Sequence, residues 1–372
     1  MATPLVILSI GGTPLDLGMA YSLAFLPVLL LAPVGGAIAD RIPKRAALMV
    51  LQSISAGQAS IYAFAVATQN IEIWHVFILS AIIGLVNAVE MPSRNAFIAE
   101  LLPDTDMRNG VALMMVAFNG SRIIGPGIAG IIAAAVGFEA NFLCSAAAAL
   151  STLGLLGRMD AHRSRQAPGP PTVSIGASLV EGLGYARNDS TIRTALAILA
   201  TFGVFGLSFQ TIAPVYALEV VGLDTSGYGM LLAVMGLGAF GAAVQMTLVT
   251  PRLVRPLMLV APIVFGVLLI ALSMTEVPAR AFAIILPLGF FSLLVNSSVS
   301  LTIQGWVPHE LRGRMMGLYI SVMDGGSAIG ALLIGATANW LGVEVAMIVG
   351  GGATSAAASV FLLSQVFSRS RR

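Results

Sequence analysis

Four charged side chains lie inside long apolar runs of this 372-residue chain: Glu90, Arg94, Arg122 and Asp324. Placing a charge there costs roughly 2.5–3.5 kcal/mol on insertion scales, so each is a candidate for handling a proton or a ligand. Glu90 and Arg94 are four residues apart, share a helical face and can pair; Asn87 extends that face. Arg94, near the end of its run, can also snorkel to the boundary. The plain alternative for this pair is an intrahelical ion pair with a structural role. Arg122 and Asp324 sit nearer the middle of their runs, and Asn119 lies three residues before Arg122 on the same face. A guanidinium in such a place can bind an anion or attract a carboxylate, and an intramembrane carboxylate can bind and release a proton. Glu90 and Asp324 are the candidates for that role. For Asp324 the alternative is an interhelical polar contact that fixes packing. Asn296, Gln210 and Gln245 are further intramembrane polar residues that can line a cavity.

Other chemistries find no support. His75, His162 and His309 lie in separate segments without ligand spacing, so no metal site is expected. Cys144 is the single cysteine, which excludes an intrachain disulfide. Gly125–Gly130 and Gly236–Gly241 both satisfy G-x-G-x-x-G, yet neither follows a strand, so no dinucleotide site is expected. Lys44 is the only lysine, which leaves no phosphate-binding P-loop. No catalytic triad is readable. The expectation is a protein that is not an enzyme and carries no cofactor.

These residues must be positioned by membrane-spanning helices. The chain is 57% hydrophobic and 10% charged, against roughly 25% charged in soluble domains, and its mean hydropathy is +0.93. The fold class expected is an all-α polytopic membrane protein. A net charge of +2 with arginines scattered over short loops excludes a nucleic-acid partner. After an apolar remnant at 1–10, half of the ~20 residues a span needs, apolar runs predict spans at 15–39, 45–68, 72–101, 107–136, 139–158, 191–218, 226–249, 256–275, 279–307, 312–341 and 343–367. The first helix is therefore expected to be largely missing, with Met1 beginning about halfway through it. The polar connector 159–190, with Ala167-Pro168-Gly169-Pro170-Pro171 and an amphipathic piece from Ile175 to Tyr185, is expected to separate an N-terminal bundle (1–158) from a C-terminal bundle (191–372).

Charge supports this count. Arg41, Lys44, Arg45, Arg108, Arg158, Arg163, Arg165, Arg187, Arg193, Arg252, Arg255, Arg312, Arg314, Arg369, Arg371 and Arg372 fall on one side; only Arg280 is basic on the other, beside Asp16, Glu72, Glu139, Glu219, Asp224, Glu276 and Glu344. The positive-inside rule then places the linker and C-terminus in the cytoplasm. Trp74, Trp306 and Trp340 fall at span ends, as interfacial belts require. A shift of 205 residues lays Pro103 on Pro308, Asn119 on Asp324, Gly125 on Gly330, Gly137 on Gly342 and Glu139 on Glu344, and a weaker shift of 211 sets Gly18-Met19 on Gly229-Met230. Such parallel repeats relate two similar halves.

The stretch Gly36-Ala37-Ile38-Ala39-Asp40-Arg41-Ile42-Pro43-Lys44-Arg45 resembles the signature loop between the second and third helices of the major facilitator superfamily. Gly36, Asp40, Arg41, Lys44 and Arg45 match its Gly-x-x-x-Asp-Arg-x-Gly-Arg-Arg pattern, with Pro43 in the place of the glycine. Ser121 to Gly130, with Gly125, Pro126 and Gly130, resembles the fifth-helix motif of that superfamily's antiporters; Ser121 and Ala129 depart from it. Small residues there allow close helix approach. Phe25-Leu26-Pro27, Pro92-Ser93-Arg94 and Val307 to Arg314 are similar to the bacterial branch that includes enterobactin and macrolide exporters. The resemblance implies two six-helix bundles rocking around a midplane site. It implies export of a small molecule, a siderophore or a drug, with protons as coupling ion, by a multi-pass, monomeric protein of the cell (inner) membrane. It implies that Asp40 and its basic neighbours steady the outward-open state against the start of the eleventh span, so that Asp40→Ala impairs transport. Import of a nutrient by the same fold, a facilitator, and a truncated non-transporting membrane protein remain alternatives.

Overall fold

The structure is a computed structural model. It describes residues 2–101, 106–159 and 184–370, except for the side chains at 32–41, 99–100, 107–109, 111–112, 114–119, 122–123, 309–310, 313 and 365–370. The helices, in chain order, are α1 (Ala2–Ser9), α2 (Pro14–Arg41), α3 (Lys44–Ala67), α4 (Ile73–Leu101), α5 (Met107–Val136), α6 (Phe138–Arg158), α7 (Ser190–Val220), α8 (Thr225–Leu248), α9 (Pro251–Ser273), α10 (Pro278–Trp306), α11 (His309–Leu341) and α12 (Val343–Ser370). Among the described residues ten helices are long and apolar enough to cross a membrane, against eleven full spans expected from the sequence. The difference is α5, whose described apolar stretch is Ile124–Val136. Most of linker 159–190, including the expected amphipathic piece up to residue 183, lies outside the described residues.

Local chemistry sets the helix ends. α2 starts with Pro14 at its first position and a capping box: the Asp16 backbone N–H donates to Thr13 Oγ1 (3.3 Å), and the Thr13 N–H donates to Asp16 Oδ2 (2.7 Å). The helix then runs on to Arg41, so the hinge expected over residues 36–45 is narrower than its motif. Only Ile42 and Pro43 leave helical geometry, and α3 resumes at Lys44. Pro43 is the reason. A proline forces its predecessor toward extended backbone, and Ile42 sits at φ −112°, ψ 152°. α5 and α11 end alike, at Gly137 (φ 106°) and Gly342 (φ 95°), before α6 and α12 start at the next residue. A positive φ favours glycine, so the 205-residue repeat seen in the sequence is also a repeat of backbone geometry.

Packing falls into two groups. In the first half α2 packs on α4, and α3 on α6 and α4; in the second, α8 packs on α10, and α9 on α12 and α10. Across the halves α2 packs on α11 and α5 on α8, and α7 also touches α1 and α2. The α2–α11 crossing is close because glycines meet: a Cβ on Gly335 would stand 2.8 Å from Pro14 O and 3.1 Å from Gly18 Cα. Inside the halves, the Tyr62 and Phe142 rings stack at 4.4 Å, and Phe202 meets Phe265 edge-on at 4.9 Å. The buried Tyr216 hydroxyl satisfies the end of α9, donating toward Leu272 O (2.8 Å) and Thr275 O (2.9 Å). Outside, Phe64, Leu143 and Val267 remain exposed, a liability in water that suits contact with lipid. Antiparallel alternation gathers the 42–43, 249–250 and 307–308 connections at one end, here the basic end, and the 68–72, 221–224 and 274–277 connections at the acidic end.

Candidate functional site

At the basic end, Arg45 reaches from the first turn of α3 to the last turn of α6. Its Nε donates to Leu156 O (2.6 Å) and its Nη2 to Gly157 O (2.8 Å). The last carbonyls of a helix lack intrahelical donors and carry partial negative charge, so a guanidinium there satisfies both needs. Lys44 beside it is buried. Gly36, Asp40 and Arg41 belong to the last turns of α2, and their side chains lie outside the described residues. Arg45→Met is expected to cost about 1–2 kcal/mol, read as a lower unfolding temperature of the purified chain, with Arg45→Lys intermediate because it offers no planar fork.

The Glu90–Arg94 pair is present: Arg94 Nη1 donates to Glu90 Oε1 across 3.5 Å. The sequence does not point to the third member. Gln52 Nε2, from α3, donates to the same Oε1 at 3.2 Å. Glu90 is therefore held from two helices, and its side chain is 14% exposed against 44% for Arg94. The one signal for Gln52 is an amide in the apolar run of α3. Ser93, one helical turn beyond Glu90, is fully buried and its hydroxyl has no partner.

Asp324 lies in the middle of α11, where that helix meets two others. A Cβ on the next residue, Gly325, would press on the Leu29 side chain of α2 (2.6 Å); Gly326 faces Gly203 of α7, with a Cβ 3.4 Å from its Cα. Among the described residues Asp324 has no hydrogen-bond or ion-pair partner. Five residues earlier the Tyr319 hydroxyl approaches Asn296 O (3.3 Å) and Oδ1 (3.4 Å) on α10, and Asn296 Nδ2 donates to Ser292 O (3.1 Å). The side chains of Asn119 and Arg122 lie outside the described residues. In the fifth-helix motif, Gly130 is buried, while Gly125 faces open space and Gly127 is the glycine turned toward α8, with a Cβ 3.4 Å from Ala233 Cβ. Pro126 withholds an N–H inside α5, and Asn141 Nδ2 of α6 donates to Ala129 O (3.0 Å).

A second network at the basic end is not visible in the sequence. Asp189 caps α7, accepting at Oδ1 from the N–H groups of Thr191 (2.8 Å) and Ile192 (3.0 Å), while Oδ2 accepts from Trp306 Nε1 (2.9 Å). The Arg255 guanidinium lies over the Trp306 ring, 5.8 Å from its centroid. Burial works to raise the Asp189 carboxyl, but the Ile192 N–H, the Trp306 indole, the Thr191 N–H and the Arg255 charge together hold it below its ordinary value. A depressed carboxyl contributes stability above its unfolded value, about 3.9, and loses it as pH falls through the folded value. Acid titration of thermal stability is expected to show a fall below pH ~4 that Asp189→Asn reduces.

The family described as "Transmembrane secretion effector" matches residues 1–370. The chain is 24% identical to the multidrug efflux pump Tap of Mycolicibacterium fortuitum, over 94% of this chain and 87% of that one. It is 26% identical to the staphyloferrin A transporter of Staphylococcus aureus, over 93% and 86%. The fold is similar to the crystal structure of a point mutant of the nucleoside transporter NupG, with a TM-score of 0.80, 11% identity and coverage of 97% and 93%. Helices crossing in the pairs α2–α11 and α5–α8, the charged residues on either side of the α2–α3 hinge, and this match over nearly the whole length agree: the chain belongs to the transmembrane secretion effector family of the major facilitator superfamily of membrane transporters.

Proposed function

We propose that this transporter exports a small molecule, a siderophore or a drug-like compound, in exchange for protons. The bundles 1–158 and 191–372 rock about the α2–α11 and α5–α8 crossings. The observation that carries the proton role is Asp324, a mid-span carboxyl without a partner among the described residues, at the point where α11 meets both α2 and α7. Intramembrane carboxyls of this kind mark proton relays. Glu90, held by Gln52 and Arg94, is the second candidate, with Asn119 and Arg122 of α5 as a site for an anionic substrate. Export follows the relatives named for efflux and for a siderophore. The setting is the inner membrane of a bacterium, with the basic end and the C-terminus in the cytoplasm. The protein works as a monomer.

The test is proton release in energised inverted vesicles, followed with a pH-sensitive dye. The panel holds siderophores, staphyloferrin A among them, and antibiotics. Substrate-dependent proton movement that requires the protein is the expected result. Uptake that runs downhill with no proton movement would instead identify a facilitator.

A further inference from the structure

α7 is not one continuous α-helix. Between Ser190–Thr201 and Phe209–Val215 lies a π segment, Phe202–Leu207, and a second, Tyr216–Val220, follows. Hydrogen bonds show the changes of register. At the end of the first π segment the Thr211 N–H returns to Ser208 O, only three back (3.0 Å), while the Gly203 carbonyl accepts from the Ser208 side-chain hydroxyl (3.0 Å). At the far end the Val221 N–H reaches Tyr216 O, five back (3.0 Å), and the Leu223 N–H reaches Ala217 O, six back (2.8 Å). Each π turn holds an extra residue relative to an α turn, and such bulges concentrate at functional sites.

The pieces of α7 also differ in what they touch. Phe202–Leu207 packs on α11, α12 and α9, and Tyr216–Val220 on α8, all within the second half. Phe209–Val215, between them, packs across the divide on α1 and α2 as well as on α11 and α12. The first π segment is seated on α11 beside Asp324: a Cβ on Gly203 would stand 3.0 Å from Met323 O, and one on Gly330 would overlap Val204 O and Ser208 Oγ. Within the bracketed piece, Thr211 Oγ1 is buried and has no partner. Buried hydroxyls without partners are rare in native proteins. Pro214, lacking an N–H, already interrupts the helical ladder there.

We infer that Phe209–Val215 is a turning gate. When the extra residue held by the first π segment passes through to the second, the bracketed piece shifts by one residue of register, rotating by about 100° and advancing about 1.5 Å. The ends of α7 stay anchored in the second half. The turn exchanges the side chains that α7 presents to α2 and gives the Thr211 hydroxyl the partner it lacks in this state. The inference rests on the transporter reading above and adds to rocking a local step inside one helix.

Hydrogen exchange on the purified full-length chain, run beside the vesicle assay with staphyloferrin A and norfloxacin as probes, tests it. Peptides from 202–220 should exchange at least tenfold faster than those from Pro251–Ser273. Deleting Leu207 removes the extra residue of the first π turn; it should leave the chain folded, slow that exchange at least tenfold and abolish transport of the responding probe. Thr211→Val, which removes only the unpartnered hydroxyl, should fold as well as the unsubstituted chain and transport at a tenth of its rate or less. It decides the matter if the deletion variant fails to fold. Exchange over 202–220 as slow as over 251–273 would overturn the gate, whatever the transport result. So would full transport by the folded deletion variant or by Thr211→Val. If the unsubstituted chain moves neither probe, the export reading loses its support, while the exchange comparison still decides the gate.

Discussion

Asp324→Asn is expected to reduce proton-linked transport to below about one tenth of the unsubstituted rate, the change that 1.4 kcal/mol produces, with folding intact. Asparagine keeps the size and polarity of the side chain but cannot take up or give up a proton. Because Asp324 has no partner among the described residues, the substitution breaks no described hydrogen bond. A packing role therefore predicts unchanged transport, and a proton role predicts loss. The comparison is made in the vesicle assay. Substrate binding without proton release is the signature of the proton role. Glu90→Gln serves as the contrast. It weakens the attraction of Arg94 while keeping an acceptor for Gln52, and a milder loss is expected if Glu90 mainly ties α3 to α4. Full proton-linked transport by Asp324→Asn would remove Asp324 from the mechanism.

The largest loss of stability is expected where α8 and α10 cross. A Cβ on Gly238 would overlap Leu286 O, and one on Gly289 would overlap Met235 O. The obstacle on each side is backbone, which cannot swing away as a side chain can. Overpacking of a core ordinarily costs about 1–3 kcal/mol, and Gly289→Val belongs at or above the top of that range. Gly57 of α3 provides the control, since a Cβ there meets nothing within 4 Å. Gly57→Ala should stabilise by up to about 1 kcal/mol through helix propensity alone. Unfolding temperatures of the two variants, measured in the same detergent, should move in opposite directions. A Gly289→Val chain as stable as the parent would show that the α8–α10 contact is looser than described.

Much of the architecture can be read from residues, because apolar runs and their breaks are local signals. Thr13 with Asp16, Pro43, Gly137 and Gly342 each end or begin a helix through chemistry confined to a few neighbours. The Glu90–Arg94 pair is readable for the same reason, since its spacing is a property of one helix. Gln52, Asp189, Arg255 and Trp306 are not assembled by sequence reasoning. Their meeting depends on how neighbouring helices are rotated about their own axes, which a hydrophobic pattern does not specify when nearly every face is apolar. The π segments of α7 are hidden differently: one extra residue in a continuous run at 191–218 leaves the run's length and composition almost unchanged.

The Asp189–Trp306–Arg255 cluster has an optical consequence. Trp74 and Trp340 stand toward the acidic end, Trp74 stacked on His75 at 3.6 Å, and Trp306 alone stands at the basic end. Its indole donates to a carboxylate, as that of Trp74 donates to Glu72 Oε2 (2.7 Å), but among the described residues it is Trp306 that lies under a guanidinium, so it emits from an environment unlike that of the other two. An aqueous quencher confined to one side of a vesicle dims either one fluorophore or two. The molecule thus reports its own orientation in the bilayer, without an added label, and the colour of Trp306 tracks whether the entrance to α7 stays fastened to α9 and α10.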